Sequence, residues 1–562
     1  MNGGQLVVRT LMELGQRQIF GLHGAHIDPV FQAALDLGLE IVDCRSEATV
    51  GHAAEGYARA SRGLGVALVT AGGGFTNVMT PLANAFCDRT PLLVIAGSGM
   101  LREAETNTLQ AGIDQVAVAR PVTKWAHRVT LGEQIPRLVA QAVRIALSAP
   151  RGPVLLDIPW DILAGPVPDD TTGIAAAWEF SGAAPSRAFI AQALDILDAA
   201  EQPIVVVGSE ATRGRADEPL ARLAELSGLP VFSDYEGFAA LSCLEEGVGG
   251  LIQSLHYCGK QGVRPDAILL LGVRFGLNTL HGSGLLFPHD ARIIQIDPDA
   301  RELGRLQQVA AAAEADVATT IAAMAEAAAC RAWRDRTQWR GKVETLVARK
   351  LDELQPDPCE AGTIHPLAAI KTVASHLTRD HLLVADGALS YLWLSEIVSV
   401  ARPGAFLCHG YLGSMGVGLG TAIGAQVQAA QQGKRAILVT GDGAIGYALA
   451  DFDTLVRHDI PLIVIVMNNQ SWGATQHFQK IIVGDNRVTG TMLQNGSYHQ
   501  VAEGFGVKGY FVDTAADFAA ALADALATKA PACINVRVAL EPIPPEEMLL
   551  LGIEESGGGI GA

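Results

Sequence analysis

Short apolar runs separated by longer helical stretches recur along nearly the whole chain, and this alternation constrains the fold more tightly than any other feature. A strand covered on both faces reads as an unbroken apolar run, and successive parallel strands need a crossover that is usually helical. In the first third the runs are Gln18 to Leu22, Glu40 to Val42, Val66 to Thr70, Leu92 to Ala96 and Val154 to Ile158, joined by Ala-rich segments such as His52 to Arg62. This is a βαβ pattern and predicts a parallel sheet. Turn-prone residues from Pro166 to Gly173 and at Ser181-Gly182 set a boundary near residue 180. A second unit carries runs at Pro203 to Gly208, Pro230 to Phe232, Ala267 to Gly272 and Arg292 to Asp297, then an Ala-rich helical zone from Val309 to Ala329 and a charged helix. Gln355-Pro356-Asp357-Pro358 cannot continue a helix and reads as a linker. The last third repeats the alternation at Leu382 to Ala385, Ala436 to Thr440, Leu462 to Met467 and Ala532 to Val536. The expected fold is α/β, with three doubly wound parallel-sheet domains over residues 1–180, 181–345 and 360–545. The tail after Pro545, with its glycines Gly557 to Gly559, is expected to be mobile.

A chain of 562 residues exceeds what one hydrophobic core supports, and 49% hydrophobic against 18% charged residues suits large parallel-sheet domains. The formal charge of -18, with no Lys/Arg block to reverse it locally, excludes nucleic acid as an expected partner. The longest apolar strings, such as Pro461 to Met467, fall short of the ~20 residues that span a bilayer, so no membrane association is expected. Met1 leads directly into Gln5-Leu6-Val7-Val8 without a secretory pattern, and the cytoplasm is the expected compartment. Eight cysteines without a C-x-x-C pair suggest neither zinc knuckle nor redox site and read as buried free thiols.

The run Ala436 to Thr440 leads into Gly441-Asp442-Gly443-Ala444-Ile445-Gly446 and a helix. As G-x-G-x-x-G this is a weak dinucleotide fingerprint, because the next strand should then end in an acid for the ribose hydroxyls. It ends instead in Asn468-Asn469-Gln470-Ser471. An Asp at one strand mouth and an Asn at the next suit a hard cation, whose other positions are filled by phosphate oxygens and water.

The pair Gly441-Asp442-Gly443 and Asn468-Asn469 resembles the signature of thiamine-diphosphate enzymes. That resemblance implies thiamine diphosphate and Mg²⁺ as cofactors, with Asp442 and Asn469 ligating the metal through side chains and Ser471 through its backbone carbonyl. It implies that Gly443, Ala444, Ser471, Trp472, Gly473 and Ala474 approach the diphosphate, which the N-terminus of a helix favours. It also demands a carboxyl group for the aminopyrimidine ring. Glu47 in Arg45-Ser46-Glu47-Ala48 follows the strand Ile41-Val42 and precedes an Ala-rich helix, where the family places its glutamate. Glu55, in the middle of that helix, reads as an ordinary helix residue. Many relatives carry His where this chain has Ser46. Gly410-Tyr411-Leu412-Gly413-Ser414-Met415-Gly416 resembles the segment that grips the pyrimidine, with Met415 as the wedge and the Gly413 carbonyl receiving the amino group.

The similarity to the 2-keto-acid decarboxylase and acetolactate synthase superfamily covers nearly the whole chain, in the order pyrimidine, central and diphosphate domain. Phe20-Gly21-Leu22-His23-Gly24-Ala25-His26, Thr106 to Gln110, Pro159-Trp160-Asp161, Tyr391-Leu392-Trp393 and Asn469 to Ala474 look like the benzaldehyde lyases within it. His23 and His26 could share a helical face and bind a metal, but no third ligand is signalled. By the resemblance His26 is the acid/base for the substrate hydroxyl, as an imidazole that changes charge near neutral pH. Gln110 bonds the substrate oxygen, Tyr391 helps to hold it, and His23 is either a further catalytic group or a structural histidine. Ala25, Trp160, His409, Phe478 and Ala474 shape an aromatic pocket. The expected reaction is cleavage of aromatic 2-hydroxy ketones to aromatic aldehydes and its reversal. The rival is a 2-keto-acid decarboxylase or an acetolactate-synthase-like enzyme with flavin in the central domain. No G-x-S-x-G elbow supports a serine hydrolase, and Glu47 disfavours a mere cofactor sensor. The family's geometry implies at least a dimer, usually a tetramer.

Overall fold

In the computed structural model, residues 1–103, 106, 109–110, 112–168, 182–494 and 496–550 are described. Three six-stranded sheets follow one another, and every strand pairing within them is parallel. The first holds β1 (Gln18–Gly21), β2 (Glu40–Asp43), β3 (Gly65–Val69), β4 (Leu92–Ser98), β5 (Trp125–Arg128) and β6 (Val154–Pro159), ordered β2-β1-β3-β4-β6-β5. The second holds β7 (Pro203–Val207), β8 (Val231–Ser233), β9 (Val248–Leu251), β10 (Ala267–Leu271), β11 (Arg292–Asp297) and β12 (Ala311–Glu314), ordered β12-β11-β10-β7-β8-β9. The third holds β13 (His381–Asp386), β14 (Ala405–Cys408), β15 (Arg435–Gly441), β16 (Ile463–Asn468), β17 (Lys508–Val512) and β18 (Ala532–Arg537), ordered β14-β13-β15-β16-β18-β17. The first and third sheets thus share one strand order, while the second has that of a dinucleotide-binding sheet. The α/β class and the three parallel sheets agree with the expectation.

The strands that the apolar pattern missed are β5, β9, β12, β14 and β17, and each stands at a sheet edge. β12 lies inside the zone read as helix: its alternate residues are exposed, and the helix begins only at Val317. Pro545–Leu550, expected to be mobile, is a helix with Glu546 and Glu547 buried. Its first carboxylate bonds Tyr235 and Ser395, and its second bonds His477 Nδ1 at 3.0 Å. The boundary expected near residue 180 lies outside the described residues. All eight cysteines are free, but Cys330 and Cys359 are exposed rather than buried, one past a helix end and one in the Pro-rich linker. Among the described residues no helix is long and apolar enough to cross a membrane.

One hydrophobic core joins the first and third sheets. It is crossed by the helices Glu47–Ser61 and Gly418–Ala430. Their backbones touch through glycine: a Cβ on Gly56 would lie 2.1 Å from the Thr421 carbonyl oxygen, and one on Gly424 1.8 Å from that of Ala53. This contact fixes the helix bearing Glu47 against the helix that follows Met415.

Candidate active site

In a doubly wound sheet, ligands bind at the carboxyl ends of the strands where the strand order reverses. In the third sheet that point lies between β13 and β15, and a cavity opens there. Its lining includes Asp442, Asn469, Ser471, Gly443, Ala444, Trp472, Gly473, Ala474 and Met415, so most of the predicted cofactor and metal residues come together. Gly413 is not among the lining; it turns the preceding segment at φ +65° and donates its N–H to the Gly410 carbonyl at 3.0 Å.

Asp442 is buried. Its Oδ1 accepts from the Gly443 N–H at 3.1 Å, while Oδ2 has no partner among the described residues. Burial pushes this carboxyl up to about 7, against the backbone N–H groups of Gly443, Gln470 and Ser471 that favour its charge. Asn469 Oδ1 accepts the Ser471 N–H at 3.0 Å. The Ser471 hydroxyl is already committed to Gln476 Oε1 at 2.6 Å and the Thr491 carbonyl at 3.0 Å, so its backbone carbonyl is what remains for a ligand. The Trp472 indole covers Gly443 so closely that a Cβ there would lie 2.5 Å from a ring carbon. Among the described residues no three His, Cys, Asp or Glu side chains converge on a metal position. A cation at Asp442 would therefore rely on one carboxylate and neutral oxygens, as suits Mg²⁺ shared with phosphate.

The corresponding point of the first sheet, between β1 and β3, carries the second group. Ser46 caps the helix Glu47–Ser61, its side chain accepting the Ala48 N–H at 3.2 Å, which places Glu47 at the first helical position. Glu47 Oε2 accepts from Asn77 Nδ2 at 3.0 Å, and Oε1 overhangs the turn after β3, 3.1 Å from where a Cβ on Gly74 would be. Thr70 packs beneath the same Gly74, and its hydroxyl stands 3.4 Å from His26 Nδ1. Burial lowers the His26 pKa, opposed by a hydrogen bond with Gln110. Gln110 sits in the left-handed region at φ +60°, with its backbone over Gly72. Glu47, His26 and Gln110 are thus gathered around one turn.

The remaining predicted residues scatter. Ala25 is exposed and Trp160 half-buried at the same end of the first sheet. His23 is exposed, with Nε2 2.9 Å from Asp28 Oδ1 and its ring edge-on to Phe31. Tyr391 is buried against Tyr235 and His409, at ring-centroid distances of 4.6 and 4.9 Å, and does not line the Asp442 cavity. His409 is half-buried, its pKa lowered by desolvation against the Asp386 carboxylate, and its Nδ1 has no partner among the described residues. Phe478 is half exposed at the end of the helix Gly473–Phe478.

Three side chains that hold the site escaped sequence reasoning. Asp386 accepts the N–H groups of Gly418 at 2.7 Å and Gly416 at 3.3 Å, and Asp88 accepts that of Tyr411 at 2.9 Å, so the Met415 segment is held from two domains. Gln115 bonds the Gly72 N–H, the Gly97 carbonyl and Asp157, tying the β3 turn to β4. Asp386-Gly387 at the mouth of β13 repeats the strand-end Asp-Gly of Asp442-Gly443, and that signal was available. Glu55 is no ordinary helix residue. It is fully buried, accepts from Asn84 Nδ2 at 2.8 Å, and lies 3.2 Å from His52 and 4.0 Å from Arg59.

Three models describe the chain by sequence: thiamine pyrophosphate enzyme N-terminal TPP binding domain over residues 1–118, central domain over 190–324 and C-terminal TPP binding domain over 386–536. An acetolactate synthase large subunit of Mycobacterium tuberculosis is 29% identical over 548 residues, 95% of each chain. A 2-hydroxyacyl-CoA lyase 2 of Danio rerio is 29% identical over 559 residues, 91% of this chain and 86% of that one. The solved structure of a Rhodococcus jostii RHA1 thiamine diphosphate-dependent 4-hydroxybenzoylformate decarboxylase superposes with a TM-score of 0.81 over 96% of this chain and 100% of its own, and at 24% identity it speaks for the fold.

Proposed function

This chain belongs to the thiamine pyrophosphate enzyme family, and from that membership we propose that it cleaves aromatic 2-hydroxy ketones such as benzoin to two aldehydes, and joins aldehydes in reverse, in the manner of a benzaldehyde lyase. The observation that carries this reading is the grouping of His26, Gln110 and Glu47 around Thr70 at the mouth of the first sheet.

The residues fit the cofactor. The unpartnered Oδ2 of Asp442 offers a buried oxygen to a cation, and Gly443, whose lack of a side chain lets Trp472 close on it, brings its backbone to the same cavity. Asp442, Asn469 and the Ser471 carbonyl would hold Mg²⁺, with Ala444, Gly473 and Ala474 beside the diphosphate, Met415 under the ring system and the Gly413 carbonyl at its amino group. When bound, thiamine diphosphate supplies the carbanion nucleophile. Glu47 would hold the pyrimidine nitrogen by a hydrogen bond. His26 takes the proton from the substrate hydroxyl as the carbon-carbon bond breaks and returns one in the other direction. Because burial lowers its pKa, the imidazole is neutral and basic at neutral pH. Gln110 orients the substrate oxygen. Tyr391 backs the ring of His409, and Ala25, Trp160 and Phe478 border the aromatic groups. His23 shares the loop of His26, and its exposed pairing with Asp28 leaves it a structural histidine as readily as a further catalytic group. Exchange of His26 for alanine is expected to slow benzoin cleavage about 10²-fold or more; a loss of only a few-fold would remove His26 from this role.

Neither Glu47 nor His26 lines the Asp442 cavity within one chain. A complete site needs a second subunit, so the protein is expected to be at least a dimer and, as in its family, a tetramer. Light scattering on the cofactor-loaded enzyme tests this, and an active monomer would contradict it.

An acetolactate-synthase-like or decarboxylase activity is the second reading, favoured by the relative from Mycobacterium tuberculosis. The central sheet argues against its flavin form. At the reversal point between β7 and β10 the backbones touch, a Cβ on Gly208 falling 2.1 Å from the Gly272 carbonyl oxygen. The following helix, Ser209–Arg213, carries the buried Glu210 in its first turn, paired to Arg151, where a dinucleotide would need room for phosphate. The purified protein is expected to be colourless. Incubation with benzoin, thiamine diphosphate and Mg²⁺ should release benzaldehyde; CO₂ from benzoylformate or pyruvate without benzaldehyde from benzoin would install the rival.

A further inference from the structure

A second cleft, of about 730 Å³, lies where the three domains meet, well apart from the Asp442 cavity. It sits at the carboxyl end of the helix that begins with Glu47, roughly 20 Å from that residue at 1.5 Å per residue. Five cationic side chains line it against the carboxylates of Asp217 and Asp380, a positive hollow in a chain of net charge -18. Three of the five are engaged elsewhere: Arg59 with Glu236 at 2.6 Å, Arg62 with Asp217, and Arg379 with Glu245 at 3.1 Å. Two are not. Arg215, from the central domain, has only the Ser61 carbonyl at 3.1 Å, and Lys434, from the third domain, forms no ion pair among the described residues. Arg215 is exposed and held in the left-handed region at φ +57°, a conformation that costs a side-chain-bearing residue energy. Gln428 and Gln432 add amide donors on the same wall. Scattered surface cations meet water singly; here two come from different domains into one concave, polar space of ligand size.

We propose that this cleft binds a phosphate-bearing small molecule, which Arg215 and Lys434 grip from two domains. A guanidinium offers a fork of N–H donors matched to phosphate oxygens, and an ammonium offers a compact point charge. Asp380 opposes the ligand from the same wall.

Inorganic phosphate titrated by calorimetry into the enzyme already loaded with thiamine diphosphate and Mg²⁺ tests the site. Saturable binding is expected to weaken at least tenfold in the double variant Arg215→Ala, Lys434→Ala, and to tighten a few-fold in Asp380→Asn. The second change is a gain, which misfolding does not produce. Removing equal charge elsewhere, by Arg301→Ala with Lys342→Ala, is expected to leave binding in place. Absence of saturable binding in the unsubstituted enzyme overturns the proposal. So does binding that survives the double substitution, which would place the phosphate at another site.

Discussion

Replacement of Glu47 by alanine is expected to lower benzoin cleavage by about 10²-fold or more, the usual worth of a positioned acid-base group, while leaving the thermal midpoint almost unchanged. The stability half follows from what the carboxylate touches. Its one hydrogen-bond partner among the described residues is Asn77, which is exposed and turns to water once the partner is gone. Glu55 supplies the contrast, since it lies on the same helix two turns on and holds Asn84, His52 and Arg59 in a fully buried cluster. Its removal leaves the Asn84 amide and the His52 ring without that acceptor, away from solvent, while Arg59 keeps Glu236 and the Cys408 carbonyl, and about 1 to 3 kcal/mol of destabilisation is expected. Turnover per folded molecule and melting temperature, measured on both alanine variants, separate the two roles. Full activity in Glu47→Ala, or a large drop in its melting temperature, would assign Glu47 to structure alone.

Central strands were legible because burial on both faces writes itself as a continuous apolar run, as in Ala436 to Thr440 and Leu462 to Met467. Edge strands carry no such obligation. β12 alternates exposed and half-buried residues and β17 buries only Val512 of its five, so neither needs a hydrophobic run to pair with its neighbour. β14 is buried throughout yet only four residues long, too short to stand out beside the apolar helix before it. The site divides in the same way. Asp442 and Asn469 stand at the mouths of central strands, where sequence context gives each a position, and both reach one cavity. Asp88 and Glu55 act through contacts made across domains or deep inside one, and nothing in their neighbours along the chain tells a buried carboxylate from a solvated one. Glu55 was misread for that reason: helical spacing places it on a face, but only the packing of Asn84 and Arg59 tells what covers that face.

Asparagine in place of Asp442 is expected to have opposite effects on the two forms of the protein. With thiamine diphosphate and Mg²⁺ present, the variant gives up the only carboxylate that the described residues bring to the cavity lining and leaves the cation with neutral oxygens. Truncating one partner of a buried charge pair costs about 2 to 5 kcal/mol, so cofactor affinity measured by calorimetry in the presence of Mg²⁺ should weaken by roughly 30-fold or more. Without cofactor the same carboxylate is a liability. It is buried, Oδ2 lacks a partner among the described residues, and burial pushes its pKa up to about 7. An amide of the same shape carries no charge to desolvate, so the cofactor-free variant should melt no lower than the unsubstituted protein, and higher at pH 8, where the native carboxyl is forced to ionise. A residue kept for structure would behave in the reverse sense, with lower melting temperature and unaltered cofactor affinity. That pairing of results would remove the cation from Asp442 and, with it, the reason for a charged group at the mouth of β15.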